Sequence, residues 1–402
     1  MYRSRSMNIE SPLSLGLSPE AGAIVLRSAI DRRSAIDAEI HPQDSSQITK
    51  ICPSASRKEE AMTTRVAING FGRIGRMFLR SVLQAPGDLE VVAINDLADK
   101  ENLAYLLAYD SSQGALGTDV SVNDAGFEIA GKQIRVLAER DPAALPWQDM
   151  NVDIAIEATG FFTQRVGAAK HLQAGAKKAI VSAPSKDADL TLVMGVNDGD
   201  YDPERHDIIS NASCTTNCLA PVAKVILDTF GIETGFLTTT HAFTATQGLI
   251  DRPDKKDFRR GRAASLSIVP SSTGAATAVA KVIPELQGKL DGMALRVPTP
   301  TGSVVDFVVR TEKPVTVASL NAAFRSAAEG SMAGILGIAH PHAVSTDMIG
   351  NPLSSIVDLN STMVLGEYTA KILSWYDNEV GYASRVKDLA QKIGAKLPVL
   401  VA

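Results

Sequence analysis

Cysteine is scarce: three in 402 residues exclude a disulfide-built scaffold. A basic excess is missing too, since 40 Lys and Arg stand against 45 Asp and Glu, and a formal charge of -5 offers little for neutralising nucleic-acid phosphates. No uninterrupted apolar run approaches the roughly 18 residues of a membrane-spanning helix. A secretory apolar core is lacking as well, because Ala23-Ile24-Val25-Leu26 is cut by Arg27. The expectation is a soluble, cytoplasmic protein with neither nucleic acid nor membrane as a partner. What is present is 45% hydrophobic residues, too many for a disordered chain of modest charge. At about 150 residues per domain, the length predicts two globular domains.

The first 61 residues stand apart, with 8 basic residues, 8 acidic residues, 11 serines and only fragments of hydrophobic periodicity. Met1-Tyr2-Arg3-Ser4-Arg5-Ser6 has the flavour of a targeting peptide, yet Glu10, Glu20, Asp31, Asp37 and Glu39 break the acid-poor rule. The expectation is that Met62 is the biological start and that residues 1–61 are a disordered or mis-assigned extension, with a regulatory or targeting tail as the alternative. First-residue mass spectrometry distinguishes these readings.

From Arg65 the pattern becomes regular. Val66-Ala67-Ile68-Asn69 reads as a strand, Gly70-Phe71-Gly72-Arg73-Ile74-Gly75 as a glycine turn, and Arg76 to Leu83 as a helix. A second strand, Glu90 to Asn95, ends in Asp96, which lies 21 residues beyond Gly75. Strand, G-x-G-x-x-G, helix and a distant acid together form the dinucleotide-binding unit. Gly70 permits the turn, Gly72 lets backbone approach a pyrophosphate, and Gly75 allows close packing, while the helix N-terminus faces the negative charge. Asp96 would accept hydrogen bonds from a ribose and repel a 2′-phosphate, which favours NAD over NADP. Further strand-like runs at 153–159, 178–184 and 191–196 alternate with helical stretches such as Gly167 to Gly175, as in a parallel, doubly wound sheet. Thr159 and Ser182 fall at strand ends, where open α/β sheets bind ligands.

Chemistry enters at Ser210 to Cys218, where a polar loop leads through Ser213 and Cys214 toward a helical stretch at Leu219 to Phe230. A cysteine at a helix start has its thiolate stabilised by the dipole and by unpaired N–H groups. Cys218, four residues on, reads as packing or modulation; a redox pair or half a zinc site are the alternatives. Zinc is disfavoured because no second cysteine pair exists, and no metal site is expected. His241 ends a strand-like run 27 residues after Cys214, and a Cys/His pair activates a thiol near neutral pH. The other five histidines are read as structural. Downstream lie the basic loop Lys255 to Arg262, a hydroxyl-rich turn Ser271-Ser272-Thr273-Gly274 opening a helix, and Arg296 at a strand end. Arginine forks and helix-start amides suit phosphate, so a phosphorylated substrate is expected.

Asn69 to Arg76, Ser210 to Cys218, Thr240 to Gln247, Ser272 to Ala276, Arg296 to Pro300 and Ser374 to Glu379 together resemble the signature segments of the phosphorylating (type I) glyceraldehyde-3-phosphate dehydrogenase family. The similarity runs in order from about Thr64 to Ala395. It implies a Rossmann-type, doubly wound NAD-binding domain over 62–211, completed by a C-terminal helix at 377–402. It also implies an α+β catalytic domain with a mostly antiparallel sheet over 212–376. By resemblance, Cys214 is the nucleophile and His241 the base of an NAD-dependent phosphorylating aldehyde dehydrogenase of glycolysis or gluconeogenesis. Thr244 and Arg296 would hold the aldehyde's phosphate, and Ser213, Thr215, Thr273, Gly274 and Arg260 the incoming inorganic phosphate. NAD would contact Arg73, Ile74, Asp96, Arg140, Ser182 and Asn378 besides the glycine turn, and the family is usually a homotetramer. Thr277 stands where lysine is frequent, and Arg252-Pro253 where NAD-specific members often have Leu-Pro or Gly-Pro, so an arginine there could reach a 2′-phosphate. Erythrose-4-phosphate dehydrogenase is the nearest enzymatic rival, and a non-catalytic binding protein on a dinucleotide fold the rival of another class.

Overall fold

The computed structural model describes residues 63–255 and 257–398; the 1–61 extension with Cys52 and the end of the expected 377–402 helix lie outside the described residues. Two sheets organise what is described. The first is assembled from β1 (Thr64–Asn69), β2 (Leu89–Asn95), β5 (Val120–Asn123), β6 (Gly126–Ile129), β7 (Lys132–Leu137), β8 (Ile154–Glu157), β9 (Lys178–Val181), β10 (Leu190–Thr191) and β11 (Ile208–Ser210). A small hairpin, β3 (Tyr109–Asp110) with β4 (Gly114–Ala115), stands outside it. The sheet order is β10-β11-β9-β8-β1-β2-β7-β6-β5. Pairing is parallel from β10 through to β7 and antiparallel only at the β5-β6-β7 edge. The strand order reverses between β1 and β8, the switch point at which such sheets hold ligands beyond their C-terminal ends. The central strands are buried on both faces, as helical cover requires.

The second sheet takes β12 (Thr234–Ala242), β13 (Val269–Ser272), β14 (Leu290–Val297), β15 (Ser303–Arg310), β16 (Leu336–Ile338), β17 (Ser355–Leu365) and β18 (Thr369–Tyr376), in the order β13-β14-β12-β15-β18-β17-β16. Four of its six pairings are antiparallel; β12 with β14 and β16 with β17 are parallel. Burial alternates along β15 and β18, so one face packs and the other is open. The packed face carries α4 (Cys214–Phe230), α5 (Ala275–Val282) and α6 (Val317–Glu329); the first sheet carries α1 (Arg73–Gln84), α2 (Lys100–Ala108) and α3 (Arg165–Gln173). The last helix, α7 (Val380–Gly394), returns to pack on α1. Cys214 and Met194 are partly buried against both of the large hydrophobic cores, so the start of α4 sits where they meet.

Several elements differ from the sequence expectation. The first helix begins at Arg73, directly after Gly72, and the helix after the cysteine loop begins at Cys214 itself. The expected strand at 191–196 stops at Thr191 because Asn197 and Asp198 side chains capture the N–H groups of Val193 and Gly195 in a turn. The C-terminal helix starts at Val380, after Asp377 has accepted the N–H groups of Glu379 and Val380.

The glycine turn is closed by packing. Gly70 has φ +94°, and a Cβ there would lie 2.6 Å from the Thr159 nitrogen. A Cβ on Gly75 would lie 2.3 Å from the Gly70 carbonyl oxygen, whereas one on Gly72 would meet nothing within 4 Å. Gly75→Ala is therefore expected to lose about 1–3 kcal/mol in urea unfolding, with Gly72→Ala within about 1 kcal/mol of the parent.

Candidate active site

The nucleophile loop ends in a cap. Ser213 Oγ accepts the Thr216 N–H at 3.1 Å and contacts Thr216 Oγ1 at 2.7 Å, which starts α4 with half-buried Cys214 as its first residue. Preceding it, buried Ala212 has φ +54°, an uncommon conformation for a residue with a Cβ, held in place by the Tyr382 hydroxyl donating to its carbonyl at 3.1 Å. The turn aims the cysteine at β12. Cys214 Sγ lies 3.3 Å from His241 Nε2.

Strand register supplies the third group. β12 and β14 run parallel with His241 opposite Arg296, so their side chains share one neighbourhood. The Ala242 carbonyl oxygen lies 2.7 Å from His241 Nδ1, and Nε2 is the ring nitrogen that faces the thiol. Arg296 Nη1 also donates to that carbonyl, at 3.0 Å, and lies 2.8 Å from Nδ1. Burial and the Arg296 charge push the imidazole pKa down to about 3, so the ring is neutral and restrained as a base. Burial raises the Cys214 thiol above its ordinary value, while Arg296 and hydrogen bonds at the helix start oppose that rise. The two effects of Arg296 have one sign: a fixed positive charge favours the thiolate and disfavours the imidazolium.

Sequence reading missed the groups behind this pair. The ring of Tyr376 stands edge-on to His241 at 5.9 Å, and its hydroxyl bridges Thr215 Oγ1 at 3.0 Å and Thr239 Oγ1 at 2.9 Å. Thr239 lies two residues before His241 on one face of β12, a period-2 signal that alternation offers. Asp377 is fully buried and accepts from Thr301, Gln113 and Gly350 as well as from the start of α7.

Two cavities, of about 500 and about 490 Å³, open at the C-terminal ends of the first sheet. Ala158 and Thr159 line both, so the two adjoin at the switch point. The first is lined by Gly70, Gly72, Asp96 and Arg140, the second by Arg73, Ile74, Ser182 and Asn378 together with Cys214 and His241. Gly75 lines neither and acts from beneath the turn. Asp96 accepts the N–H groups of Phe71 at 2.7 Å and Ala98 at 3.0 Å, fixing its carboxylate at the cavity wall. Arg73 is committed to Asp110 and Glu379, whose hydrogen bonds hold its pKa above the ordinary value against the effect of burial. Asn378 Oδ1 accepts from Ser303 at 2.9 Å, which leaves its amide NH₂ as the group to offer a ligand.

The expected phosphate residues divide. Ser213, Thr244 and Arg296 line the cavity with Cys214. Arg260 reaches its rim by donating to Thr246 Oγ1 at 3.3 Å. Thr215 turns its hydroxyl toward Tyr376, Thr273 Oγ1 accepts the Ala275 N–H at 3.2 Å, and Gly274 forms the N-cap of α5; none of these three is in the cavity lining. Arg252 donates to the Thr246 carbonyl at 2.6 Å, bracing the turn after Thr244.

Comparison with known proteins decides the family. The model of the NAD-binding domain of glyceraldehyde 3-phosphate dehydrogenase matches residues 64–165, and that of its C-terminal domain matches 213–378. The chain is 56% identical over 335 residues to glyceraldehyde-3-phosphate dehydrogenase of Geobacillus stearothermophilus, covering 83% of this chain and 99% of that protein. It is 55% identical to glyceraldehyde-3-phosphate dehydrogenase 1 of Bacillus subtilis, with the same coverage. The chain belongs to the glyceraldehyde-3-phosphate dehydrogenase family. Similarity extends to glyceraldehyde-3-phosphate dehydrogenase 2 of Streptomyces avermitilis, at 50% over 336 residues, 84% of this chain and all of that one. NAD is thus the cofactor of this family's N-terminal domain. Among the described residues no helix is long and apolar enough to cross a membrane.

The geometry makes thiol reactivity depend on Arg296. Arg296→Gln removes the charge that favours the thiolate, so the midpoint of the pH profile for Cys214 alkylation by iodoacetamide is expected to move upward.

Proposed function

We propose that this chain oxidises D-glyceraldehyde 3-phosphate to 1,3-bisphosphoglycerate with NAD and inorganic phosphate, through a thioester on Cys214. The observation that carries the reading is a helix-start thiol 3.3 Å from the Nε2 of an imidazole, in a cavity that shares Ala158 and Thr159 with the one lined by the glycine turn and Asp96. His241 takes the thiol proton as sulfur bonds the aldehyde carbon and returns it to the carbonyl oxygen, giving a hemithioacetal; it then takes the proton of that hydroxyl as hydride leaves the carbon. Bound NAD supplies the hydride acceptor; Gly70, Gly72, Asp96 and Arg140 would hold one end of it, and Arg73, Ile74, Ser182 and Asn378 the other. A phosphate oxygen then attacks the thioester carbon and the thiolate leaves, taking back the proton held by His241, which yields an acyl phosphate and restores the pair. The thioester conserves oxidation energy that hydrolysis would dissipate.

Thr244 and Arg296 are assigned to the aldehyde's phosphate. Ser213, Thr215, Thr273, Gly274 and Arg260 are assigned to inorganic phosphate, with Thr215 and Gly274 contributing backbone N–H groups at helix starts. Residues 62–211 with 377–402 are read as the cofactor domain and 212–376 as the catalytic domain, supported by the separate sheets and the packing of α7 on α1. The assembly is read as a homotetramer of the cytoplasm. Exposed Leu249, Ile250, Phe258, Leu266 and Ile268 on the loop after Thr244 support burial against another subunit.

NAD reduction with glyceraldehyde 3-phosphate should require phosphate and exceed that with erythrose 4-phosphate; the reverse preference overturns the substrate assignment. Cys214→Ser should abolish turnover, and His241→Asn should lower kcat by about 10²–10⁴-fold with a smaller change in KM. Light scattering after size-exclusion chromatography should return the mass of four chains.

A further inference from the structure

Beneath the dinucleotide groove, a second polar cluster is buried that takes no part in the chemistry above. Glu157 ends β8 beside Asn69 at the end of β1, paired in parallel register. Its side chain is fully buried, yet its carboxylate meets only donors. Oε1 accepts from the Thr159 hydroxyl and, at 2.9 Å, from the Thr159 N–H. Oε2 accepts from Asn69 Nδ2 at 2.6 Å and lies 3.1 Å from His171 Nε2. The proton on that ring is placed by its other neighbour: Trp147 Nε1 can only donate and lies 3.1 Å from His171 Nδ1, so Nε2 carries the hydrogen and donates to Glu157. Four donors converge on two oxygens, a demand that a carboxylate meets and an amide cannot.

The chain of contacts continues sideways. Asn69 Oδ1 accepts from Asn95 Nδ2 at 2.7 Å, and Asn95 exchanges hydrogen bonds with the backbone N–H and carbonyl of Glu139 at 2.7 and 2.8 Å. Glu157, Asn69, Asn95 and Glu139 therefore tie together the C-terminal ends of β8, β1 and β2 and the loop that carries Arg140. Asn69, Asn95, Glu139 and Thr159 also line the cavity that holds Asp96, and Thr159 lines the Cys214 cavity too. The spacing of these strand ends is critical at Gly70, where a Cβ would be 2.6 Å from the nitrogen that Glu157 holds.

We propose that Glu157, oriented by His171 and Trp147, is a positioning residue for the dinucleotide site, setting the separation of the strand ends that form the groove floor. The inference rests on the reading of the two adjoining cavities as the NAD groove. The test is NAD affinity of the full chain by isothermal titration calorimetry, at a temperature where circular dichroism shows the protein folded. Glu157→Gln is expected to bind NAD at least about tenfold more weakly, equivalent to ~1.4 kcal/mol. Its kcat at saturating NAD and its KM for the aldehyde should stay within about twofold of the parent, a split that loss of stability alone does not produce. A folded Glu157→Gln protein with parental NAD affinity overturns the proposal.

If that variant does not fold, a pair at His171 decides. Gln at 171 can donate to Glu157 and accept from Trp147, so His171→Gln should bind NAD like the parent, while His171→Leu should bind several-fold more weakly. Equal affinities for the two overturn the positioning role. Failure of the parent chain to bind NAD overturns the groove reading itself, and this inference with it.

Discussion

The contact between Cys214 and His241 depends on two elements arriving at one point from different layers of packing. Cys214 is the first residue of α4, while His241 is near the end of β12 in the second sheet. Three devices bring them to 3.3 Å: the Ser213 cap that fixes where α4 begins, the positive φ of Ala212 that turns the chain into it, and the register that seats Arg296 beside the imidazole. The cap and the turn cost local conformational freedom; the cap is closed locally by Thr216, and the turn is stabilised by a partner remote in sequence, Tyr382 on α7. The last helix of the chain thus supports the nucleophile loop.

Burial alone would make this a poor site for ionisation. It raises the thiol and lowers the imidazole, so both groups wait neutral. Arg296 breaks that symmetry by favouring negative charge on sulfur while disfavouring positive charge on the ring. A dianionic phosphate on Arg296 would mute the guanidinium's field and make the imidazole a better base when substrate is present. On the proposed assignment the same arginine would serve recognition and timing, because the charge that would hold substrate is also the charge that restrains His241.

Much of this was legible in the chain. The G-x-G-x-x-G turn, the alternating strands, the helix-start cysteine and the histidine at a strand end all follow from local periodicity and spacing, and the structure has a helix starting at Cys214 and a strand running past His241. Element limits were less legible, because they are set by side chains that capture backbone N–H groups: Asn197 and Asp198 end a strand that the hydrophobic run alone would extend. The expected phosphate residues show the same limit. Thr215 looks like a hydroxyl ligand beside the nucleophile, but its orientation is decided by Tyr376, 161 residues away. Tyr376, Asp110 and Glu379 act through long-range partners, which no local pattern encodes.

His171 shows where a bland reading needs enlarging. A lone histidine within a helix is most often structural, and this one is fully buried with its nitrogens satisfied. Yet its partner is a carboxylate whose other oxygen holds the backbone at the junction of the two cavities. A buried charge of this kind contributes little net stability compared with well-packed apolar groups, and removing one partner strands the others. What it provides is directional: four donors fixed on one carboxylate set the position of two strand ends more sharply than apolar packing would. Where Gly70 packs against Thr159, that precision falls at the wall shared by the two cavities, which the proposed dinucleotide would cross between Asp96 and the thiol.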